Sequence, residues 1–433
     1  MKIKKGYVIL LIVLVLSCLV SAADKITVWL TGHSNEEIAI IRSLTETTFT
    51  AQTGIAVDFS NLSWSDFENR FLMAAASGDA PDVGGAGTLF LPELGVRGAL
   101  IDLTKMPGFQ EVFNRAAPNF YRALQYKGLT FGIPYTASAT VAFQRDDILK
   151  EVGIKSINTW DELKQVLPKL QAKNSNFTLQ WFLSDTVYSD VNMFMWQHGA
   201  DDYDPTLTKS GYDSPECIAG FKEYAELYTK YKIPKEAPVF QSFVKGELAI
   251  VLQSPGFYQN LIQAAPQLTG KWSMVEVPGT YNTGKINNTT VAGAPSAIGI
   301  FEASKKKNQS WEFIKWLTDE RTQIEIASQI MTKIKGALFL PTNRDAVTKI
   351  NLNKEATVVF AKALNNGNCS IYGLVAPRNR RRYLQMAAQK AILNGVDPEK
   401  AIREAADEHN AEIKKKQVEY DRYIKRLLEQ QKK

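Results

Sequence analysis

Chemistry in a chain of this size would need a nucleophile with its base, a metal-ligand set, or two opposed carboxylates. The three histidines, His33, His198 and His409, stand far apart. There is no His-Glu-x-x-His, no Gly-x-Ser-x-Gly, no Walker loop and no Cys-x-x-Cys pair. Asp201, Asp202 and Asp204 cluster, but without the glycine of a calcium loop and with Pro205 following, so they read as a solvated loop, with weak calcium binding as the alternative. His33 follows the first strand pattern and reads either as a ligand contact or as a satisfied surface histidine. Paired carboxylates of a hydrolase can meet in three dimensions from any positions, so that reading stays open. The chain is rich instead in aromatic surface, with eight tryptophans and sixteen tyrosines. Sugar rings pack a C–H face on such rings and direct hydroxyl edges to polar neighbours. No cofactor and no metal are expected.

These residues need elements to hold them. Apolar positions at Phe67, Phe71, Leu72 and Ala75 define one helix face, with Ser65 and Glu68 as a capping box and Ser77-Gly78 as the stop. Pro81 leads into a short strand at Asp82-Val83, and Gly84-Gly85-Ala86-Gly87-Thr88 reads as a glycine-rich turn at its carboxyl end, where ligands of open α/β sheets sit. Upstream, Ile26, Val28 and Leu30 alternate as a strand. Ser34 and Glu37 open a helix that Gly54 closes, and Ile55, Val57 and Phe59 alternate again. Strand, helix, strand in this order implies a parallel sheet with right-handed crossovers. A second α/β unit follows. Thr159 and Glu162 box its first helix, Ser214-Pro215 starts another, and Leu248 to Leu252 is a continuous apolar run expected of a covered strand. From Asp397 one long helix is expected. Beyond Glu412 it becomes highly charged and reads as solvated and frayed, with a partner-docking face through Ile413, Tyr420, Ile424, Leu427 and Leu428 as the alternative.

The 433 residues allow two domains, and the 45% hydrophobic content supports sizeable cores. A net charge of +6 is modest, and acidic residues alternate with basic ones, so no nucleic-acid partner is implied. Residues 1–22 read as a secretory signal: Lys2, Lys4 and Lys5 precede an apolar run from Tyr7 to Val20 that is shorter than the roughly 18 to 20 residues of a spanning helix. Cleavage before Ala23 is the expectation. The alternative is a lipoprotein box ending at Cys18, which would anchor the chain to lipid outside the cytoplasm. After removal only Cys217 and Cys369 remain. Cys217 lies in an apolar helical pattern and reads as a buried thiol, with a disulfide between the two left open.

Several blocks, in order, carry a family resemblance. "LMAAASGDAPDV" and "LFLPELGVRGALIDLT" are followed by "GLTFGIPYTAS", "INTWDELKQVLPKL", "SFVKGELAIVLQSPGF", "WEFIKWLTD" and "LFLPTNRDAV". The series resembles the extracellular solute-binding proteins of ABC importers, family 1, the sugar-binding group that includes maltose-binding proteins. The resemblance implies an α/β, two-lobed periplasmic-binding-protein fold, type II-like. Each lobe would be a mostly parallel sheet flanked by helices, with interleaved crossings and a hinge. It implies lobes of 25–137 plus 293–342 and 141–290 plus 343–412, with 413–433 as a charged helical tail. Carried over by position, the ligand-binding residues are Trp64, Gly85, Thr88, Tyr135, Thr136, Ser254, Phe257, Gly293 and Arg378. For Trp64 the alternative is packing beneath its own helix. Trp311, Trp316 and Trp160 read as structural, and one of Trp181 and Trp196 as core. The implied function is a monomeric, secreted, non-enzymatic receptor that delivers a sugar or oligosaccharide to ABC permease subunits. Glycerol phosphate or a polyamine is the alternative cargo, and a secreted carbohydrate hydrolase the alternative activity.

Overall fold

The computed structural model describes residues 24–179, 190–282 and 284–431. The signal segment, Cys18 and Trp181 lie outside the described residues. The fold has two lobes, each built on one sheet. The first sheet has five strands: β1 (Lys25–Thr31), β2 (Ala56–Leu62), β3 (Val83–Gly87), β4 (Ile133–Ala139) and β9 (Ala292–Ile300), in the order β2-β1-β3-β9-β4. The second has four: β5 (Val141–Arg145), β6 (Asn176–Thr178), β7 (Leu248–Gln253) and β8 (Trp272–Val275), in the order β8-β5-β7-β6. The chain leaves the first sheet at Ala139, enters the second at Val141, and comes back to the first as β9.

The interleaving alters the expected parallel character. β1 pairs in parallel with β2 and β3, as alternating strands and helices dictate. β9 arrives from the other lobe rather than through a crossover helix, so it runs antiparallel to both β3 and β4. In the second sheet only β6 and β7 are parallel. Both sheets are therefore mixed.

Local chemistry sets most helix starts. In α1 (Asn35–Leu44), Ser34 and Glu37 form the expected capping box, and in α4 (Trp160–Gln171) Thr159 and Glu162 do the same. The Ser214 hydroxyl accepts from the Cys217 N–H at the start of α5 (Pro215–Thr229). The helix α2 (Phe67–Ser77) departs from expectation: Asp66, not Ser65, stands at its cap, and no side chain closes it. The Ser63 hydroxyl holds the Asp66 carboxylate at 2.6 Å, which removes that group from capping duty. Gly78 ends α2 at φ +84°, a left-handed conformation in which a side chain would be strained.

The glycine-rich stretch is strand rather than turn. β3 runs through Gly84 and Gly85 to Gly87 because aromatic and leucine side chains lie across it. A Cβ on Gly84 would stand 2.7 Å from the Phe301 ring and 2.9 Å from Phe71, and one on Gly85 would stand 2.8 Å from Leu30. The helix α3 (Leu91–Val96) then runs back along the first lobe. Trp311 and Trp316 lie on the helix α6 (Lys307–Leu317) and donate to the Pro107 carbonyl and the Thr48 hydroxyl. Trp160 is buried against Phe194 and donates to Gln197, and Trp196 is also buried. Toward the carboxyl end lie α7 (Glu320–Lys333), α8 (Lys354–Asn366), α9 (Pro377–Ile392) and α10 (Pro398–Gln431).

One side-chain site differs from the sequence reading, and two agree with it. Asp202 is fully buried and lies 3.7 Å from Arg380, so the aspartate cluster is not a solvated loop. Burial opposes the Arg380 charge, and Asp202 overrides it and holds the guanidinium cationic. Asp204 alone behaves as a surface turn residue, accepting from the Thr208 and Lys209 N–H groups at 2.8 Å. Cys217 and Cys369 are both buried free thiols.

Candidate functional site

Strand direction places the site. β4 passes into β5 through Thr140 alone, so the carboxyl end of β4 abuts the amino end of β5. β3 runs in the same direction as β4, because both pair antiparallel with β9, and β1 and β2 run with β3. All four therefore end at this junction. On the other side, β7 and β8 are antiparallel to β5, with Val141 opposite Gln253 and Ala142 opposite Val275. Their carboxyl ends, and that of β6, face the first sheet. Strand ends of both lobes thus meet at the place where open α/β sheets take ligands.

On the first lobe the rim is Gly32 to Ser34, Ser63-Trp64, Thr88 and the start of β9. Trp64 is 48% exposed. Its ring meets Phe67 edge-on at 5.5 Å, and its indole lies so close over Gly32 that a Cβ there would stand 2.0 Å from Nε1. Gly32 has φ +80° and leaves the space the indole occupies. One flank of Trp64 is thereby fixed, and its other surface stays open.

His33 is the polar centre of this rim. Its Nε2 lies 2.9 Å from the Tyr135 hydroxyl and its Nδ1 3.3 Å from Glu37 Oε2, while the Asn61 amide donates to its carbonyl at 2.7 Å. Burial pushes the Glu37 carboxyl up, but His33 and the Ser34 N–H outweigh it and hold Glu37 below its ordinary range. Burial raises the Tyr135 phenol well above its usual value, so it remains a neutral hydroxyl.

The residues expected at the ligand fall into two groups. Trp64, Thr88, Tyr135, Thr136, Gly85 and Gly293 gather at the end of the first sheet. Of these, Tyr135 is fully buried beneath His33, which corrects its expected place on the cleft wall: the covering histidine takes its hydroxyl. Gly85 is inside β3 against Leu30, not in a loop. Thr88 is buried at the strand end. The Thr136 hydroxyl accepts from the Ser296 N–H at 3.2 Å, and Gly293 sits opposite Ser138. On the second lobe, Ser254 is exposed just past β7. Phe257 instead points into the core, ringed by Phe143 at 4.9 Å, Phe243 at 5.5 Å and Phe240 at 6.0 Å. Arg378 lies in the first turn of α9, and its side chain is outside the described residues.

A second feature at the junction had no sequence signal. Arg122, from the short helix Pro118–Ala123 of the first lobe, pairs with Asp201 of the second and with Asn368. Burial pushes the Asp201 carboxyl up, Arg122 pulls against it, and the adjacent Asp202 adds to the rise. Among the described residues no group of three His, Cys, Asp or Glu gathers to hold a metal.

Residues 47–357 match the bacterial extracellular solute-binding protein family, and the chain belongs to it. A binding protein of Brucella abortus is 23% identical over 377 residues, covering 84% of this chain and 87% of that protein. The maltotriose-binding protein of Pyrococcus abyssi is 23% identical over 311 residues, covering 71% and 65%. Among solved structures, the sugar-binding protein MalE of Xanthomonas citri superposes with a TM-score of 0.78 at 20% identity, covering 92% of this chain and 99% of that one.

Proposed function

We propose that this chain is the extracytoplasmic substrate-binding component of an ABC importer, holding a sugar or oligosaccharide between its lobes and passing it unaltered to the permease. The half-exposed Trp64 at converging strand ends carries the reading. An aromatic face beside the Ser63 and Ser65 hydroxyls matches a sugar, which is apolar on its ring face and polar at its edge. The maltotriose-binding relative supports the same cargo class. In this reading the lobes are 25–137 plus 293–342 and 141–290 plus 343–412, and cargo favours closure because only the closed cleft lets both lobes bond it. The protein works as a monomer outside the cytoplasm. Among the described residues no helix is long and apolar enough to cross a membrane.

Thermal unfolding with maltotriose, lactose, glycerol 3-phosphate, spermidine or no addition tests the reading. A sugar present at about 100 times its Kd adds about 2.7 kcal/mol to the folded state and raises Tm. A rise with glycerol phosphate or spermidine alone would reassign the cargo. Recovery of cleaved sugar would make the protein a hydrolase.

A further inference from the structure

We propose that the C-terminal helix is a strap joining the two lobes, and that its last turns limit how far the lobes swing apart. This rests on the hinge-closing reading above. Its first half belongs to the second lobe: Ala401, Ile402, Ala405 and Ala406 are buried in that core, Lys222 pairs with Glu399 at 2.6 Å, and Lys390 with Glu404 at 2.8 Å. At Ile413, buried with Tyr203 and Val375, the helix leaves that core. Tyr420 is then buried in a cluster that includes Leu91, Leu94 and Val96 of α3 on the first lobe, with Ile424 packed against the same cluster. The Arg97 guanidinium, just past α3, stands 5.6 Å over the Tyr420 ring while also pairing with Glu93 at 2.7 Å. Lys416 approaches the same ring at 5.5 Å. Further along the fit loosens: Tyr423 and Arg426 form one wall of a cavity of about 330 Å³ against Val96, Met106 and Leu129.

The charged tail is therefore a docked segment rather than a frayed one. α10 has 34 residues, about 50 Å at 1.5 Å per residue, and no glycine or proline after Pro398. A helix without such a residue has no ready place to kink. Rotation of one lobe on the other must then bend the rod or strip Tyr420 and Ile424 from the first lobe. The loosely packed turns past Ile424 are where stripping starts.

Two readouts on the full chain, without ligand, test this. Hydrogen exchange should show the Ile413 to Ile424 amides protected about tenfold or more over an unpacked helix, and Tyr420→Ala should remove that protection while leaving residues 401–409 protected. Single-pair fluorescence transfer between dyes at Asp79→Cys and Lys173→Cys, both exposed and far from the junction, should give a broader distance distribution in Tyr420→Ala and in a chain ending at Glu412 than in the parent. Val418→Ala, at a position 81% exposed, should match the parent. Unprotected amides at 413–424 in the parent would overturn the strap. So would a tail released by Tyr420→Ala with an unchanged distance distribution. Whether maltotriose shortens the distance in the same labelled parent reports separately on the cargo-closing reading.

Discussion

Alanine at Gly84 and alanine at Gly87 should differ sharply although both lie on β3. At Gly84 the new Cβ would stand 2.7 Å from Phe301 and 2.9 Å from Phe71. Those rings are stacked at 5.7 Å and are 1% and 0% exposed, so neither has anywhere to move. Overpacking of this kind costs about 1–3 kcal/mol. At Gly87 the nearest atoms are 3.6 Å away on Phe67 and 3.7 Å away on Trp64, an ordinary contact. There the alanine should gain about 0.4–1 kcal/mol by restricting the unfolded chain. The expected gap between the variants is thus roughly 1–4 kcal/mol, with Gly84→Ala the less stable. Urea unfolding followed by tryptophan fluorescence and by far-ultraviolet circular dichroism measures it, and agreement of the two probes guards against separate unfolding of the lobes. Equal midpoints for the two variants would refute the claim that ring packing, and not a ligand-cradling turn, requires glycine here.

Trp64→Ala should weaken sugar binding about tenfold by calorimetry. A large aromatic side chain offers up to about 250 Å², so the open half is worth at most about 3 kcal/mol at 25 cal/mol per Å², and one covered face roughly half of that. Unchanged affinity would remove Trp64 from the site. Burial, with Arg380 adding, drives His409 down to about 3, against about 6.5 when unfolded. Between those values the unfolded chain holds a proton that the folded chain lacks, so stability falls by about 1.4 kcal/mol per unit as pH drops through the window. Urea midpoints at pH 6.5 and 5 should show a larger loss in the parent than in His409→Gln; equal losses would refute the assignment. A thiol reagent should find no rapidly reacting cysteine in the native chain starting at Ala23 and two after unfolding, because Cys217 and Cys369 are buried and burial raises both thiols. Fast native reaction would contradict that burial.

Features encoded within a few residues were legible. The boxes at Ser34–Glu37 and Thr159–Glu162 need only a turn of helix, and the apolar run at Leu248 to Leu252 needs only its own pattern. The lobe architecture came through ordered blocks rather than through periodicity, which is silent on the reversed direction of β9. Contacts between distant segments were not legible. Arg380 reaches Asp202, Arg122 reaches Asp201, and Phe71 and Phe301 close on Gly84, each pair joined only by the tertiary fold. The same holds for the site. Trp64 was visible as a residue type after a strand, but its clearance over Gly32 was not. Tyr135 and Phe257 look alike in sequence to any exposed aromatic, and burial separates them from Trp64.

β9 lies between β3 and β4, so its neighbours have no partner on that side until residue 300 has been made. A growing chain holds β1 to β3 early, yet the centre of that sheet stays unfilled while the whole strand set of the other lobe is synthesised. Such long-range pairing is slow to nucleate. A nascent chain cut short before Ala292 would expose two unsatisfied strand edges, and only chains extending past Ile300 should escape the resulting aggregation.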